Sequence, residues 1–459
     1  MCCSSLFLVS LDHTALNVAL PDIQRDLDTS VAGLQWTIDA YLIVLASSLL
    51  LAGALGDRVG RRRVFRCGLV LFTAASLGCS LAPSLGWLIG FRAAQAVGGS
   101  MLTPVALAII TQVFTERRAR ARAIGLWSAV QGVTLAVGPL VGGLAVDAAG
   151  WRWIFLLNLP VGALALALAP RVPESRSPHP RRTDAAGQTL MAVTLAAVTF
   201  GVIEGPVGGW TSPAVLAALG LSVLALPTFV VTELRLDEPL IDPRFFRRPA
   251  FTAAALSAAF AFAALSGFLF LATLQLQVVR GLSAWQAGLW LLPMAIMTCV
   301  LPPLSGRLTA LRGAHVPLAL SGVGMALGGL LPALAGTGRP TVLICSFVLF
   351  GAGFGLLNAP VNQTAVESMP KAQAGVASAI TTTTRQIGSA LGVAVIGASL
   401  AGPAHTAAAF GRADQAGWWV IAGCGVAVLA LSPLARTARR GTTSNFGIPI
   451  SDSQTATHL

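Results

Sequence analysis

Lysine occurs once in the 459 residues, at Lys371, tyrosine once, at Tyr41, and only 10% of the residues carry charge. A phosphate-cradling glycine loop needs a lysine behind it. Lys371 follows no such loop, so ATP-driven work would require a separate subunit. No Ser/His/Asp set is present, and the connecting segments are short, so nothing resembles an enzyme site. The seven cysteines (Cys2, Cys3, Cys67, Cys79, Cys299, Cys345 and Cys424) make no metal-ligand spacing. Most fall inside apolar runs, where a free thiol behaves as a small hydrophobe, so neither a metal site nor disulfides are expected. Ten-residue segments of alternating hydrophobicity are missing, which excludes a membrane β-barrel. A cleavable signal is not expected either, because the first apolar run carries Asp12 and continues into Pro21-Asp22-Ile23-Gln24 without a small-residue cleavage site.

What the chain has in excess is apolar surface: 55% of residues are hydrophobic and the mean hydropathy is +0.76. No soluble core absorbs that much, so the chain reads as an all-α integral membrane protein. A helix crossing the hydrocarbon takes about 20 residues. Fourteen such runs are legible, at roughly 2–22, 33–55, 64–82, 85–113, 123–146, 151–169, 185–205, 213–233, 250–279, 284–306, 316–336, 340–363, 375–400 and 415–435.

Positively charged short loops stay in the cytoplasm. With the N-terminus inside, the arginines gather on that side, at Arg58, Arg61, Arg62, Arg63 and Arg66, at Arg117, Arg118, Arg120 and Arg122, and at Arg235, Arg244, Arg247 and Arg248. The opposite loops hold Arg25, Arg152, Arg280, Arg339 and Arg412. Both termini are therefore expected in the cytoplasm. The net charge of +12 reflects topology and not a nucleic-acid surface, since the arginines are dispersed over turns.

Two inner turns repeat Gly, Leu and Gly at equal spacing, Gly53–Gly60 after the second span and Gly306–Gly313 after the tenth. A duplicated six-helix bundle places them there if spans 7 and 8 are an insertion. The expected units are residues 1–169, a six-helix bundle; 170–249, a linker carrying the inserted pair; 250–435, a second bundle; and 436–459, a disordered cytoplasmic tail.

Several residues break the apolar pattern. Asp12 lies about 15 Å along the first helix, near mid-membrane, where an ionisable group is costly and functional by default. Its alternative is a structural, hydrogen-bonded carboxyl. Arg92, about a third of the way into the fourth span, is too deep to snorkel and needs a carboxylate or a water-filled cavity. Asp39 reads as an accessory proton or cation site or as a solvated interfacial group, and Glu204, on the inserted pair, reads as interfacial more readily than functional. Asp57, in the glycine- and arginine-rich turn, can cap a helix or pair with arginine through a contact that breaks when the halves rotate. Gly138, Pro139, Gly142 and Gly143 bend the fifth span and strip one face for close helix approach, either as a hinge or as a packing notch.

Together these stretches resemble the major facilitator superfamily, specifically its fourteen-helix drug:proton antiporters. Leu11–Pro21 resembles the first-helix motif and Gly53–Arg63, with Gly53, Asp57, Arg58, Gly60 and Arg61, the signature turn. Arg92, Gln95 and Gly98 match the fourth-helix motif, and Gly125 with Gly138–Gly143 the antiporter motif of helix 5. Trp151–Gly162 and Arg385–Gly392 are also family-like. Ala96, Thr134 and Gln275 depart from the pattern; the first two suggest looser packing, and the third puts an aromatic substrate contact in doubt. The resemblance implies a monomeric rocker-switch exporter in a bacterial inner membrane, acting on small lipophilic drugs or antibiotics. It implies no cofactor other than protons as coupling ion, with Asp12 as proton-linked acid and Arg92 supporting it; Asp39 and Glu204 are further candidates by their place in the spans alone. An importer or symporter of a metabolite on the same fold, and a non-transporting membrane receptor, are the alternatives.

Overall fold

The computed structural model describes residues 1–176, 184–236, 239, 241–369, 373–400 and 407–439. Among these residues there are helices and turns and no strand. Fourteen spans follow one another: α1 (Cys2–Asp26), α2 (Val31–Val59), α3 (Arg61–Ser80), α4 (Leu85–Ser100 and Thr103–Val113), α5 (Arg117–Ala149), α6 (Arg152–Leu156 and Asn158–Leu168), α7 (Ala185–Gly208), α8 (Pro213–Arg235), α9 (Pro249–Leu274, then a π turn Gln275–Val279), α10 (Ala284–Val300 and Pro302–Arg312), α11 (His315–Ala335), α12 (Pro340–Gly355 and Asn358–Glu367), α13 (Ala374–Leu400) and α14 (Ala407–Leu431).

Local chemistry accounts for the boundaries. Ser30, Ser212 and Ser283 accept backbone N–H groups at the starts of α2, α8 and α10, and Ser283 forms a capping box with Gln286. The interruptions in α4, α6, α10 and α12 each have a proline just beyond them (Pro104, Pro160, Pro302 and Pro360), where a missing donor ends the ladder. The α2–α3 turn passes through Gly60 at φ 124°, a conformation that a side chain would strain.

Thirteen of the helices are long and apolar enough to cross a membrane. The fourteenth expected span, α13, is 27 residues long but falls outside that group, because the polar run Thr381–Gln386 occupies its inner half. The 3-10 turn Ser432–Arg439 continues α14, so residues 436–439 of the expected disordered tail are helical. Residues 440–459, with 177–183, 237, 238 and 240 of the expected linker and Lys371, lie outside the described residues.

α1–α6 pack into one bundle and α9–α14 into another. The inserted α7 and α8 pack on each other, and α7 lies in the groove where α2 meets α13. There Ile203 packs against Ala32 and Ala394, and Glu204 accepts a hydrogen bond from Trp36 Nε1 at 2.9 Å. Glu204 is thus not merely interfacial; it ties the insertion to the first bundle.

Candidate transport site

Asp12 of α1 and Arg92 of α4 form an ion pair in the middle of the first bundle, both fully buried. Burying the two charges is expensive unless the remaining lone pairs and protons also find partners. They do. Asp12 Oδ1 accepts from Gln95 Nε2 at 2.9 Å and from Asn158 Nδ2 at 3.0 Å, while Arg92 Nη1 also donates to Gln95 Oε1 at 2.7 Å. Ser76 Oγ accepts from Gln95 and from Asn158, at 2.9 and 2.8 Å, and Arg92 Nε donates to the Thr37 carbonyl at 3.2 Å. The guanidinium lies over the Tyr41 ring, 4.2 Å from its centroid. Five helices, α1, α2, α3, α4 and α6, are therefore joined in one network around Asp12, whose carboxylate itself is bonded from α4 and α6. Both of its oxygens act as acceptors, the arrangement that suits an ionised Asp12. Adding a proton there turns an acceptor into a donor, breaks the pair and frees Arg92.

Sequence reasoning had located Asp12, Arg92 and Gln95 but not Asn158, Ser76 or Tyr41 as their partners. Asn158 sits in the family-like Trp151–Gly162 stretch, and that was its one visible signal. The other two look like ordinary packing residues. Gly98 lets α3 and α4 close up beside the network, since a Cβ there would lie 2.8 Å from Phe72 Cα.

Asp39 differs from the expectation of a solvated interfacial group. It is fully buried, and neither carboxylate oxygen accepts a hydrogen bond among the described residues. It sits one helical turn inward from Gln35, whose Nε2 donates to the Val393 and Ala394 carbonyls of α13 at 3.2 and 2.8 Å. That places Asp39 on the α2 face that meets the second bundle.

The two bundles are fastened at the end that carries the α1–α2, α5–α6 and α9–α10 turns. Besides Gln35, Gln277 Nε2 donates to the Val18 carbonyl at 2.8 Å, and Asp147 in the last turn of α5 receives the start of α10. Its carboxylate accepts from Ser283 Oγ (2.6 Å), Ala284 N (3.0 Å) and Trp285 N (3.1 Å), placing an anion at a helix N-terminus of the other bundle. Below it α5 and α10 touch through backbone: a Cβ on Gly143 would lie 2.8 Å from Trp285 Cα, and one on Gly288 3.0 Å from the Pro139 carbonyl carbon. Gly138 and Gly142 face the other way, toward Thr14 and Ala15 of α1 in their own bundle. Thus the helix 5 motif has two faces, of which Gly143 and Pro139 make the seam. Gly125 takes no part, having nothing within 4 Å of an added Cβ. Thr134, one of the departures, fills its place: its hydroxyl bonds the Val130 carbonyl at 2.6 Å.

At the opposite end, Thr103–Val113 of α4, Pro302–Arg312 of α10 and Asn358–Glu367 of α12 pack mainly within their own bundles. The cross-bundle hydrogen bonds of Gln35, Gln277 and Asp147 thus gather at the other end of the molecule. Asp57 pairs with Arg61 at 2.8 Å, and Arg61 also reaches Gln112 at 3.1 Å. These contacts stay inside the first bundle, so the expected cross-half contact of Asp57 is not made in this state. Gly60 leaves room for Glu174, which accepts from Arg62 N at 3.0 Å. A Cβ on Gly53 would lie 3.9 Å from Pro104 Cβ, and Arg58 stands in the last turn of α2.

Two six-helix bundles, an inserted pair, a mid-membrane acid–arginine pair and a seam fastened at one end define a secondary transporter of the alternating-access type. The chain belongs to the Major Facilitator Superfamily, whose sequence profile matches residues 2–393. It is 39% identical over 398 residues to the multidrug resistance protein Stp of Mycobacterium tuberculosis, covering 86% of this chain and 74% of that one. To the methylenomycin A resistance protein of Streptomyces coelicolor it is 37% identical over 395 residues, covering 86% and 83%. Among solved structures, a peptide transporter in complex with sulfate superposes with a TM-score of 0.67 at 19% identity, covering 96% of this chain and 94% of that one. That likeness speaks for the fold alone.

Proposed function

We propose that this chain exports small lipophilic compounds, antibiotics among them, from a bacterial cell in exchange for protons. The observation that carries the reading is the buried Asp12–Arg92 pair: an acid whose protonation state decides whether five helices stay tied in one network. Both Asp12 oxygens accept hydrogen bonds here, which supports a cycle in which a proton carried in is released before substrate is taken from the cytoplasm. Substrate loading, outward opening and reprotonation of Asp12 follow, with Asp39 a second proton acceptor on the face between the bundles and Glu204 modulating it through α2. A proton moving down 100 mV supplies about 2.3 kcal/mol, a roughly fortyfold gradient for a neutral substrate.

The relatives named for drug resistance support the substrate class, and the arginine distribution supports cytoplasmic termini in the inner membrane. The protein acts as a monomer in the bilayer, without enzymatic activity, metal or nucleic acid. Respiring everted vesicles test the reading with ethidium, tetraphenylphosphonium, neutral naphthalene esters and 1-naphthylacetate as probes. Proton-gradient-dependent accumulation of at least one is expected. Accumulation of none, or accumulation that survives collapse of the gradient, contradicts it.

A further inference from the structure

Arg385 stands 11 residues beyond Ala374 in α13, about 16 Å along the helix and therefore deep in the membrane. An arginine at such depth requires a partner. Arg92, the buried arginine of the first bundle, has Asp12. Arg385 has none of that kind: among the described residues no carboxylate lies within ion-pair distance of it. Its hydrogen bond is to a neutral amide, from Nη2 to Asn362 Oδ1 at 2.7 Å, and its Nε is buried with nothing to donate to. The guanidinium lies over the Phe262 ring at 5.2 Å, and Phe262 in turn packs edge-on against Phe354 at 5.3 Å.

We propose that Arg385, Asn362 and Phe262 form an anion-recognising subsite, and that the substrates handled best carry an acidic group, a carboxylate or an ionised phenol or enol, on an apolar body. This rests on the export reading and narrows it. The guanidinium has a planar fork with five donors, of which one is engaged; a carboxylate fits the remainder in a bidentate way. The aromatic pair supplies the surface on which the apolar body lies. Asn362 is exposed and Arg385 and Phe262 are partly so, which leaves the guanidinium open to a ligand. The polar run that kept α13 from reading as a lipid-facing span ends at these residues, consistent with a helix face turned to water and ligand. Charge favours the same ligand. Asp12 and Arg92 cancel, whereas Arg385 has no carboxylate within ion-pair distance among the described residues, so its charge repels a lipophilic cation and attracts an acid.

Asp39 is the competing counter-charge, since it faces α13 and has no partner of its own. Matched probes of one shape distinguish the possibilities: 1-naphthylacetate, its methyl ester and (1-naphthylmethyl)trimethylammonium, each followed for uphill movement into respiring everted vesicles. Wild-type protein should move the acid in preference to the ester and the cation. Arg385→Gln should lower acid transport at least tenfold and leave the ester within twofold, while Arg385→Lys keeps an intermediate preference. The ester also reports that the variant is folded. Equal loss of all three probes in Arg385→Gln, or no preference for the acid in the wild type, overturns the subsite. Restoration of acid transport by Asp39→Asn in the Arg385→Gln background would assign the arginine to Asp39 instead. If the wild type moves the ester or the cation uphill but not the acid, the subsite fails and the export reading stands; if it moves none of these and none of ethidium and tetraphenylphosphonium, the export reading fails.

Discussion

At the scale of single residues, the pair at the centre of the first bundle has a cost structure that can be measured. Removing one partner of a buried ion pair strands the other, which typically costs about 3–5 kcal/mol, whereas removing both charges costs much less. Arg92→Gln should therefore lower thermal stability markedly, and Asp12→Asn in the Arg92→Gln background should recover a substantial part of the loss. Unfolding of the three variants in detergent checks this; additive losses would mean that the two residues are not energetically coupled. Asp12 and Arg92 were legible individually, because a charge inside an apolar run stands out. Their pairing was not, since residues 80 positions apart share a site only after α1 and α4 pack. Ser76 and Asn158 were hidden for a different reason: small polar side chains are common in membrane helices, and nothing local distinguishes a network member from a packing residue.

The helical element that matters most is α5, whose glycines work on opposite faces. A leucine at Gly142 would press on Ala15 of the same bundle, so Gly142→Leu should lower stability and expression. One at Gly143 would press on the α10 backbone across the seam, so Gly143→Leu should express well but let an impermeant thiol reagent reach engineered cysteines in the vestibule from outside. Labelling of both variants decides, and equal external accessibility in the two would reduce the motif to generic packing. Sequence alone showed a notch in α5 but not its partner on each face, because a glycine pattern gives the spacing of small residues and not which neighbour fills the gap. Asp147 escaped notice, since an acid at a span's end reads as solvated. Asp147→Asn removes the negative charge at the start of α10, a change of about 1 kcal/mol, which corresponds to roughly a fivefold rise in the outward-parted population. Spin-label distances between the outer ends of α5 and α10 should show that shift, and an unchanged distribution would remove Asp147 from the latch.

For the whole molecule, hydropathy and arginine distribution made the fold class and the inserted pair readable, since a membrane helix leaves a twenty-residue apolar record. α13 left the faintest record because it turns a polar face inward, and that same face carries Arg385. Which end of the seam carries the cross-bundle hydrogen bonds could not be read, because every state of an alternating-access protein uses the same sequence. Coupling is the central claim, and it is tested most directly by reconstituting the purified chain into liposomes containing a pH-sensitive dye. Imposing a gradient of a transported probe should drive protons in the opposite direction in the wild type, and Asp12→Asn should bind the probe yet move no protons. Probe movement without proton movement in the wild type, proton movement in the same direction as the probe, or undiminished exchange in Asp12→Asn would contradict the claim.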